Sequence, residues 1–416
     1  MDKLKIIGPT KLSGTVEVSG AKNACLPIMA AVLLTDKKVT LNGLPKLRDV
    51  STMNKLLSNL GVKINESESK TTYQMNELVE SEANYELVRT MRASILVLGP
   101  LLARYGHAKV SLPGGCAIGT RPIDIHLSGL KKMGATIELN SGYVQASANG
   151  LNGAEIVLPF PSVGATENLM MAATLAKGKT IIENAACEPE IVDLARFLNL
   201  LGGKIKGAGT QKIEIEGVQS LTGAEYQVIG DRIEAGTFII AALATNSNIK
   251  VTNIRPEFIE SILDKLEEMG ARFELEENAV TVLPHQGLQG IQVDTAPYPG
   301  LPTDIQAQFM ALCSVANSSS VITEHIFENR FMHVPELQRM GANIIFKGST
   351  AMTEGKGQLS GAPVMCTDLR ASAALIIAGL VAEGETLIQR IYHLDRGYEG
   401  IDKKLKILGA NIERII

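Results

Sequence analysis

A five-residue phrase occurs six times along this chain, and its regular spacing restricts the fold more than any other feature. In each copy a leucine or methionine precedes glycine, and an isoleucine or phenylalanine closes the phrase. The glycines are Gly61, Gly134, Gly202, Gly270, Gly341 and Gly409, which lie 73, 68, 68, 71 and 68 residues apart. A fixed period indicates one supersecondary unit built repeatedly, and this period exceeds the roughly 20–50 residues of common solenoid repeats. Each unit is therefore predicted to be a small α/β subdomain.

The third unit shows the expected order of elements most clearly. An alanine-rich apolar stretch at 168–176 predicts a buried helix, and Gly178 supplies the left-handed residue that ends it. A strand at 180–182 follows, and then a second helix at 191–201 with apolar residues at helical spacing. Two further strands close the unit. The first helix of every unit carries few charges and must be buried, whereas the second carries lysine and glutamate between apolar positions. We therefore expect helices inside and sheets around them.

The length of the chain predicts two domains. A chain of 416 residues exceeds what one compact core usually holds. Six units divide into two sets of three, with a cut near Ile229 and Gly230. The strand-like segments 5–7 and 15–18 precede the first helix of the first unit, so the N-terminal twenty residues are expected to complete the second set.

Composition excludes several classes of function. The net charge of −4 gives no reason to expect nucleic acid or an anionic membrane surface as a partner. The longest apolar run, 373–382, is too short to span a bilayer. Five scattered cysteines without CxxC or Cys/His spacing indicate neither a metal site nor a disulfide framework, so a reduced cytoplasmic protein is expected. The absence of tryptophan and a 4% aromatic content argue against base stacking.

Cations recur at the turns that lead into helices, although the protein as a whole is acidic. Such turns attract anions because free backbone N–H groups and the helix dipole point there. The cations at these turns are Lys22, Arg48, Arg92, Arg121, Arg232, Arg330, Arg370 and Arg396. Any one of them is explained by capping a nearby carboxylate or carbonyl. The whole set at equivalent positions instead predicts a site for an anion.

The segment 113–122 is the most unusual part of the sequence. Three glycines and two prolines in ten residues predict an exposed, mobile loop. Cys116 lies within it, and the nearby Arg121 would favour its thiolate form. A structural role is favoured for the other four cysteines, three of which lie in or beside apolar helices.

Three aspartates at helix starts leave two interpretations open. Asp231, Asp304 and Asp368 each precede a predicted buried helix, where aspartate is a preferred N-cap. One of them could instead be a general base, and the local pattern does not choose among them. His126 is equally open, since it is followed by Leu127 and Leu130 and fits either packing or catalysis.

These residues together resemble the UDP-N-acetylglucosamine enolpyruvyl transferases. The resemblance rests on Lys22-Asn23, the cysteine loop 113–122, the segments 162–166 and 327–331, Asp304, and 368–370, and it covers essentially the whole chain. It implies an α/β (α+β) fold, a two-domain inside-out barrel of six βαβαββ repeats, three per domain. The implied domains are 22–229, which carries the Cys116 loop, and 1–21 with 230–416, with the active site in the cleft between them.

The resemblance also implies the chemistry. The 3-hydroxyl of the sugar adds to C2 of phosphoenolpyruvate while C3 gains a proton, and the adduct then loses phosphate. Cys116 is expected to protonate C3, and Asp304 to take the hydroxyl proton. Lys22, Arg121 and Arg396 are expected to clamp the phosphate, with Lys22 and Arg396 counted among the catalytic residues. A closing lid is expected, because the cationic character that develops at C2 is best formed away from water.

The remaining implied contacts concern the two substrates. The phosphoenolpyruvate contacts are Lys22, Asn23, Arg121, Arg330, Arg370 and Arg396, with Arg330 and Arg370 on the carboxylate. The UDP-N-acetylglucosamine contacts are Asn23, Arg92, Arg121, Pro122, Ile123, Asp124, Ile125, Ser162, Val163, Gly164, Asp304 and Ile326. No metal or other cofactor is expected, and neither nucleic acid nor membrane is an expected partner. A monomer is expected, and the family's role in peptidoglycan synthesis makes Cys116 the expected target of the epoxide fosfomycin.

Three alternatives to this function stay open at the level of sequence. A shikimate-type enolpyruvyl transferase would share the repeats and the cations but would not be expected to have Cys116. A protein similar to RNA 3′-phosphate cyclases would be expected to have a basic surface, which the charge of −4 disfavours. A non-catalytic sugar-nucleotide-binding protein on the same scaffold would bind both ligands without releasing phosphate.

Overall fold

The computed structural model describes residues 2–79, 82–83, 85, 91–112 and 123–415. The predicted loop 113–122, with Cys116, Arg121 and Pro122, lies outside the described residues. The rest forms two compact units. One contains residues 2–19 and 230–415, and the other contains the described residues between 20 and 229.

Each unit contains three four-stranded sheets, and each sheet belongs to one repeat. In every sheet one edge strand is parallel to its neighbour and the remaining pairs are antiparallel. In spatial order, the sheets of the 20–229 unit are Glu225–Gln227, Val39–Asn42, Lys70–Met75, Val62–Glu66; Glu82–Ala83, His107–Ser111, Tyr143–Ser147, Thr136–Asn140; and Glu155–Val157, Lys179–Glu183, Lys212–Glu216, Lys204–Lys206. Those of the other unit are Ser13–Glu17, Asn248–Thr252, Ala279–Leu283, Arg272–Glu276; Gln292–Asp294, Ser320–Thr323, Thr350–Thr353, Ile344–Lys347; and Pro363–Met365, Gly384–Gln389, Lys3–Gly8, Ile412–Ile415.

Every repeat contributes two α-helices to the described structure. The first helices are Lys22–Ala31, Leu98–Tyr105, Val163–Thr174, Arg232–Ala244, Gln306–Cys313 and Leu369–Val381. The second helices are Arg48–Leu60, Asp124–Lys132, Pro189–Leu200, Glu260–Glu268, Val334–Arg339 and Ile401–Ile407. Single-turn or two-turn 3₁₀ segments accompany them at Val32–Leu34, Arg92–Val97, Pro256–Phe258, Thr303–Ile305 and Ile391–Arg396. Within the described ranges, none of the helices has the length and apolar character needed to cross a membrane.

The burial of the helices confirms the predicted fold class, with helices inside and sheets outside. In the first helix Arg232–Ala244, every residue from Arg232 to Leu243 is buried. In the second helix Glu260–Glu268, only Ile262, Leu263 and Leu266 are buried. Each unit has its own hydrophobic core, made largely of these first helices and the inner faces of the sheets.

The six repeated glycines end the second helices for a common physical reason. Gly61, Gly134, Gly202, Gly270, Gly341 and Gly409 have φ between 96° and 110°. Only glycine adopts this backbone conformation without strain, and a left-handed residue there stops the helix and turns the chain into the next strand. The repeated phrase is therefore scaffold rather than site.

The N-terminal strands pair within the unit that contains residues 230–415. Lys3–Gly8 lies between Gly384–Gln389 and Ile412–Ile415, antiparallel to both. Ser13–Glu17 runs parallel to Asn248–Thr252, and Glu225–Gln227 supplies the corresponding edge strand beside Val39–Asn42. Within the described residues, the chain therefore passes between the units at Ser19/Gly20 and at Ile229/Gly230.

Candidate functional site

The Asp304 carboxylate binds two arginines of the same compact unit, Arg330 in the same repeat and Arg370 in the next. Its Oδ1 accepts a hydrogen bond from Nη2 of Arg330 at 2.6 Å, and its Oδ2 accepts one from Nη2 of Arg370 at 3.0 Å. Asp304 lies in the 3₁₀ turn before Gln306–Cys313, Arg330 precedes Val334–Arg339, and Arg370 is the second residue of Leu369–Val381. The fold thus brings together three residues that the sequence predicted to be functional.

The two arginines are deeply buried, while Asp304 is partly open to solvent. Their side chains are 5% and 3% exposed, compared with 26% for Asp304. Two guanidinium charges beside one carboxylate leave a net charge of about +1 in this trio. In addition, Nε and Nη1 of Arg370 are buried and have no hydrogen-bond partner among the described residues. The trio therefore keeps both charge and donors available for a further anion.

The buried Tyr398 contacts Arg370 of this trio. The Arg370 guanidinium lies 5.4 Å from the ring centroid of Tyr398, within range of a cation–π interaction. Gln308 Nε2 lies 3.1 Å from both the Tyr398 hydroxyl and the carbonyl oxygen of Asp304. Burial alone would lower the pKa of Arg370, but the charges of Asp304, Tyr398 and Asp231 raise it above its ordinary value. Arg370 is therefore a permanent cation.

Asp231 and Asp368 have the capping role that the sequence also allowed for Asp304. Oδ1 of Asp231 accepts from the amides of Ile233 and Glu234 at 2.8 and 3.0 Å. Oδ1 of Asp368 accepts from the amides of Arg370 and Ala371 at the same two distances. Asp304 instead lies inside the 3₁₀ turn Thr303–Ile305, whose N-cap is Pro302, and its carboxylate binds Arg330 and Arg370. Among these three aspartates, the described contacts single out Asp304.

Arg396 ends the 3₁₀ segment Ile391–Arg396 and is half-buried. Burial and the charge of Arg396 lower the pKa of His393, whereas Asp368 acts in the opposite direction. Arg396 therefore lies close enough to His393 to influence it electrostatically, in the same unit as the Asp304 trio. Ile326, in the loop after Ser320–Thr323, is half-buried in that unit as well.

In the other unit, Lys22 is paired with a carboxylate that sequence reasoning missed. Its Nζ lies 2.7 Å from Oδ2 of Asp49, and the two side chains are 12% and 4% exposed. Lys22 begins the helix Lys22–Ala31, and Asp49 is the second residue of Arg48–Leu60. The sequence signal for Asp49 was present, because Asp49 directly follows Arg48 at the turn into a helix. Asn23, the next residue after Lys22, is exposed.

Several predicted sugar-nucleotide contacts surround the buried His126. Nδ1 of His126 lies 3.0 Å from Nδ2 of Asn168, and a Cβ at Gly164 would lie 3.3 Å from Cε1 of the histidine. Burial, and secondarily the charge of Arg92, lower the pKa of His126 to about 4. His126 is therefore a neutral ring between Arg92 and the start of Val163–Thr174, a position that fits its packing interpretation.

The remaining predicted residues lie at two helix starts of the 20–229 unit. Ser162 is the N-cap of Val163–Thr174 and accepts a hydrogen bond from the amide of Ala165, and Val163 follows it. Ile123 is buried, whereas Asp124 is exposed and Ile125 is half-buried at the start of Asp124–Lys132. Cys116, Arg121 and Pro122 lie outside the described residues, so their predicted roles stay predictions. Cys25, Cys313 and Cys366 are buried and Cys187 is half-buried, all as free thiols.

Comparison with protein families gives a match along nearly the whole chain. Residues 6–405 match the family described as EPSP synthase (3-phosphoshikimate 1-carboxyvinyltransferase). The UDP-N-acetylglucosamine 1-carboxyvinyltransferase of Thermodesulfovibrio yellowstonii is 58% identical over 418 residues, and that of Idiomarina loihiensis is 55% identical over 417 residues. Both alignments cover 100% of this chain and 100% of the relative.

Solved structures of lower sequence identity show the same fold. The enolpyruvyl transferase NikO from Streptomyces tendae superposes with a TM-score of 0.89 at 24% identity, covering 99% of this chain and 98% of its own. EPSP synthase from Acinetobacter baumannii superposes with a TM-score of 0.79 at 19% identity, covering 100% of both chains. At these identities the likeness concerns the fold alone.

Proposed function

The chain belongs to the UDP-N-acetylglucosamine 1-carboxyvinyltransferase family, and we propose that it transfers the enolpyruvyl group of phosphoenolpyruvate to the 3-hydroxyl of UDP-N-acetylglucosamine with release of phosphate. This reaction is the first committed step of peptidoglycan synthesis. The shikimate-type alternative is less well supported, because the full-length relatives at 55–58% identity carry the sugar-nucleotide name, whereas the EPSP synthase structure is only 19% identical.

One observation carries the proposal at the level of atoms, namely the Asp304 trio. Phosphoenolpyruvate has a carboxylate and a phosphate, and arginine binds both groups through paired N–H donors. Arg330 and Arg370 supply two buried cations, and the buried Nε and Nη1 of Arg370 supply donors that nothing in the described part of the chain uses. We assign these two arginines to the substrate carboxylate.

Asp304 has the position of a general base in this scheme. With its carboxylate bound to two cations it is a weak proton acceptor, because both charges favour the ionised form. When the substrate carboxylate takes over the arginine donors, Asp304 is released to accept the proton of the sugar hydroxyl as the new C2–O bond forms. Proton transfer by a positioned group is worth roughly 10²–10⁴ in rate.

The other roles follow from family membership. Cys116 donates the proton that C3 gains in the addition step. Elimination then returns a proton from C3 to the Cys116 thiolate while the bond between C2 and the phosphate oxygen breaks, which forms the enolpyruvyl double bond and releases phosphate. Lys22, Arg121 and Arg396 hold the departing phosphate. The sugar nucleotide contacts Asn23, Arg92, Arg121, Pro122, Ile123, Asp124, Ile125, Ser162, Val163, Gly164, Asp304 and Ile326.

The proposal extends to organisation and location. We take the compact units as the two predicted domains, 22–229 and 1–21 with 230–416. Phosphoenolpyruvate and the sugar nucleotide are water-soluble anions, which fits a cytoplasmic location, and we further propose a monomer that uses neither metal nor nucleic acid.

Phosphate release measured with both substrates tests the function. We expect release with phosphoenolpyruvate plus UDP-N-acetylglucosamine, and none when shikimate 3-phosphate replaces the sugar nucleotide. Equal release with shikimate 3-phosphate would support the alternative enzyme. Binding of both ligands without release would support the non-catalytic one.

Cys116 is tested by substitution and by alkylation. We expect Cys116→Ala to lose turnover almost completely and fosfomycin to add covalently at Cys116, as seen by mass spectrometry of peptides. Near wild-type turnover of the variant would refute its role as proton donor, and an adduct at another residue would refute its assignment as the reactive thiol.

A further inference from the structure

Glu324 is a buried glutamate that the sequence did not predict to be functional, yet it hydrogen-bonds to two segments that carry or lead to predicted site residues. Glu324 is 3% exposed and follows the strand Ser320–Thr323. Its Oε2 accepts a hydrogen bond from Oγ1 of Thr303 at 2.9 Å, and Thr303 directly precedes Asp304. Its Oε1 accepts from the amides of Ile326 and Phe327 at 2.8 and 3.1 Å. One carboxylate therefore joins the turn of Asp304 to the loop that runs from Ile326 towards Arg330.

Thr303 is held from its other side by Arg330. The carbonyl oxygen of Thr303 accepts a hydrogen bond from Nη2 of Arg330 at 3.4 Å, and the same Nη2 lies 2.6 Å from Asp304. Glu324 thus binds Thr303, and Thr303 accepts from Arg330, which in turn binds Asp304. A displacement of Thr303 would move Asp304 relative to the arginine that binds it.

The other repeats show that this glutamate is not part of the common scaffold. After the corresponding central strand, four repeats place a residue with positive φ, namely Gly43, Asn184, Asn253 and Arg390. In two of them the asparagine binds the carbonyl that follows the edge strand, as Asn184 does with Leu158 and Asn253 with Val18. Glu324 has no positive φ and reaches instead towards Thr303 and the loop amides. Because Glu324 departs from the pattern of these four repeats, we expect it to act on the residues around it rather than to belong to the common scaffold.

Stability alone does not explain a glutamate here. Burying a carboxylate is costly unless donors or cations compensate for the lost hydration. Glu324 is compensated by three hydrogen bonds, and no ion pair to it is seen in the described ranges. All three donors belong to segments that carry Asp304 or lead to Arg330.

We propose that Glu324, acting through Thr303, is a positioning residue that sets the distance between the base Asp304 and the carboxylate-binding Arg330. This inference rests on the proposed function, which gives Asp304 and Arg330 their roles. Glu324 touches neither substrate. It fixes the position of the Asp304 turn relative to the loop that begins at Ile326. The base Asp304, the sugar contact Ile326 and the carboxylate contact Arg330 therefore keep a fixed geometry.

Substitution at Thr303 tests this without removing a buried charge. Thr303→Val keeps the shape and removes only the hydroxyl that binds Glu324, so we expect kcat to fall about tenfold and KM for phosphoenolpyruvate to rise about threefold. Thr303→Ser restores the hydroxyl and should return kcat to within about twofold of wild type. Thr245→Val is the matched control in the same unit, because the buried Thr245 hydroxyl bonds the Ala241 carbonyl at 2.8 Å and the Ser247 hydroxyl at 2.7 Å, neither of which belongs to the segments around Asp304 and Arg330.

Two substitutions at Glu324 separate geometry from charge. Glu324→Gln keeps an oxygen for the loop amides and an amide group that Thr303 can accept from, so kcat should stay within about threefold. Glu324→Asp keeps the charge but is one methylene too short to reach both segments, so kcat should fall at least about tenfold. Thermal unfolding midpoints of all variants are measured in parallel.

The outcomes distinguish the inference from the function on which it rests. If the wild-type protein released no phosphate, the proposed function would be refuted, and this inference with it. Wild-type turnover together with unchanged kcat in Thr303→Val, or the same loss in Thr303→Ser as in Thr303→Val, would overturn the inference alone. A lowered unfolding midpoint with unchanged kcat would assign Glu324 to stability instead and would also overturn it.

Discussion

The two units treat their buried cations differently. In the 230–415 unit, Arg330 and Arg370 share the single carboxylate of Asp304. In the 20–229 unit, the Lys22 ammonium lies 2.7 Å from the Asp49 carboxylate. Counting these contacts alone, the first arrangement has an excess of one cation and the second is balanced. An incomplete set of buried charges stabilises a fold poorly but is ready to receive an anion.

The difference indicates which unit contributes which part of the chemistry. An incoming anion can replace Asp304 on one arginine while Asp304 stays bound to the other, whereas displacing Asp49 separates Lys22 from its carboxylate. We therefore expect substitutions in the Asp304 trio to change kinetics more than stability. Substitutions in the Lys22–Asp49 pair should change stability at least as much as kinetics.

The largest effect is expected for Asp304→Asn. Loss of the proton acceptor should lower kcat about 10³-fold, within the range of about 10²–10⁴ that general bases provide. Asp294→Asn is the matched control in the same repeat, since Asp294 is 45% exposed and pairs with His325. Steady-state phosphate release measures both. A loss of less than about tenfold in Asp304→Asn would mean that the trio only binds substrate.

The next largest effect is expected for Asp49→Asn, on stability. Breaking a buried ion pair by neutralising one partner costs about 3–5 kcal/mol, and the partial exposure of Lys22 places this pair at the lower end. Urea unfolding measures the free energy of unfolding. Glu268→Gln, which breaks the exposed Lys265–Glu268 pair, should cost less than about 0.5 kcal/mol. Equal losses in the two variants would contradict the balanced-pair interpretation.

Much of the fold was predictable because local chemistry decides it. The six glycines at helix ends need a left-handed backbone wherever they occur, so their spacing reports the repeat directly. The first helices carry few charges and are apolar on nearly all sides, and only burial suits such a surface. These arguments need no knowledge of which residues meet in space.

The site was less predictable because distant pairing decides it. Asp231, Asp304 and Asp368 occupy similar positions before helices, yet Asp304 differs because Arg330 and Arg370 lie 26 and 66 residues further along the chain and reach it. Glu324 was missed for the same reason, since its partners become visible only when the turn of Thr303 meets the loop of Ile326. The residues at helix turns pointed to Lys22 and to the Asp304 trio, but not to Asp49, the partner of Lys22.

A smaller effect is expected for Arg370→Lys, on substrate binding. Lysine keeps the charge but lacks the planar fork that binds Asp304 and a carboxylate together. KM for phosphoenolpyruvate should rise about 30-fold, with a smaller change in kcat. Arg339→Lys, at an exposed arginine of the second helix in the fifth repeat, should stay within about twofold. Similar KM values for the two variants would remove Arg370 from the carboxylate site.

The smallest effect concerns the neutral His126 and appears only on acidification. Burial lowers its pKa to about 4, while an unfolded histidine titrates near 6.5. Between these values the unfolded state binds more protons than the folded state, so stability rises with pH across this window and is lost as pH falls. At pH 5.5 the loss relative to pH 8 should be about 1.4 kcal/mol, or one pKa unit.

His126→Gln should therefore unfold with a flatter pH dependence than wild type between pH 5.5 and 8, even though its stability at pH 8 is lower because the contact with Asn168 changes. The same substitution at the exposed His107 is the matched control. Urea unfolding at several pH values measures the slope for each protein. If His126→Gln kept the full wild-type slope, the ring would already be charged in the folded protein. Burial and the charge of Arg92, which lower the pKa of His126, would then not suffice to keep the ring neutral.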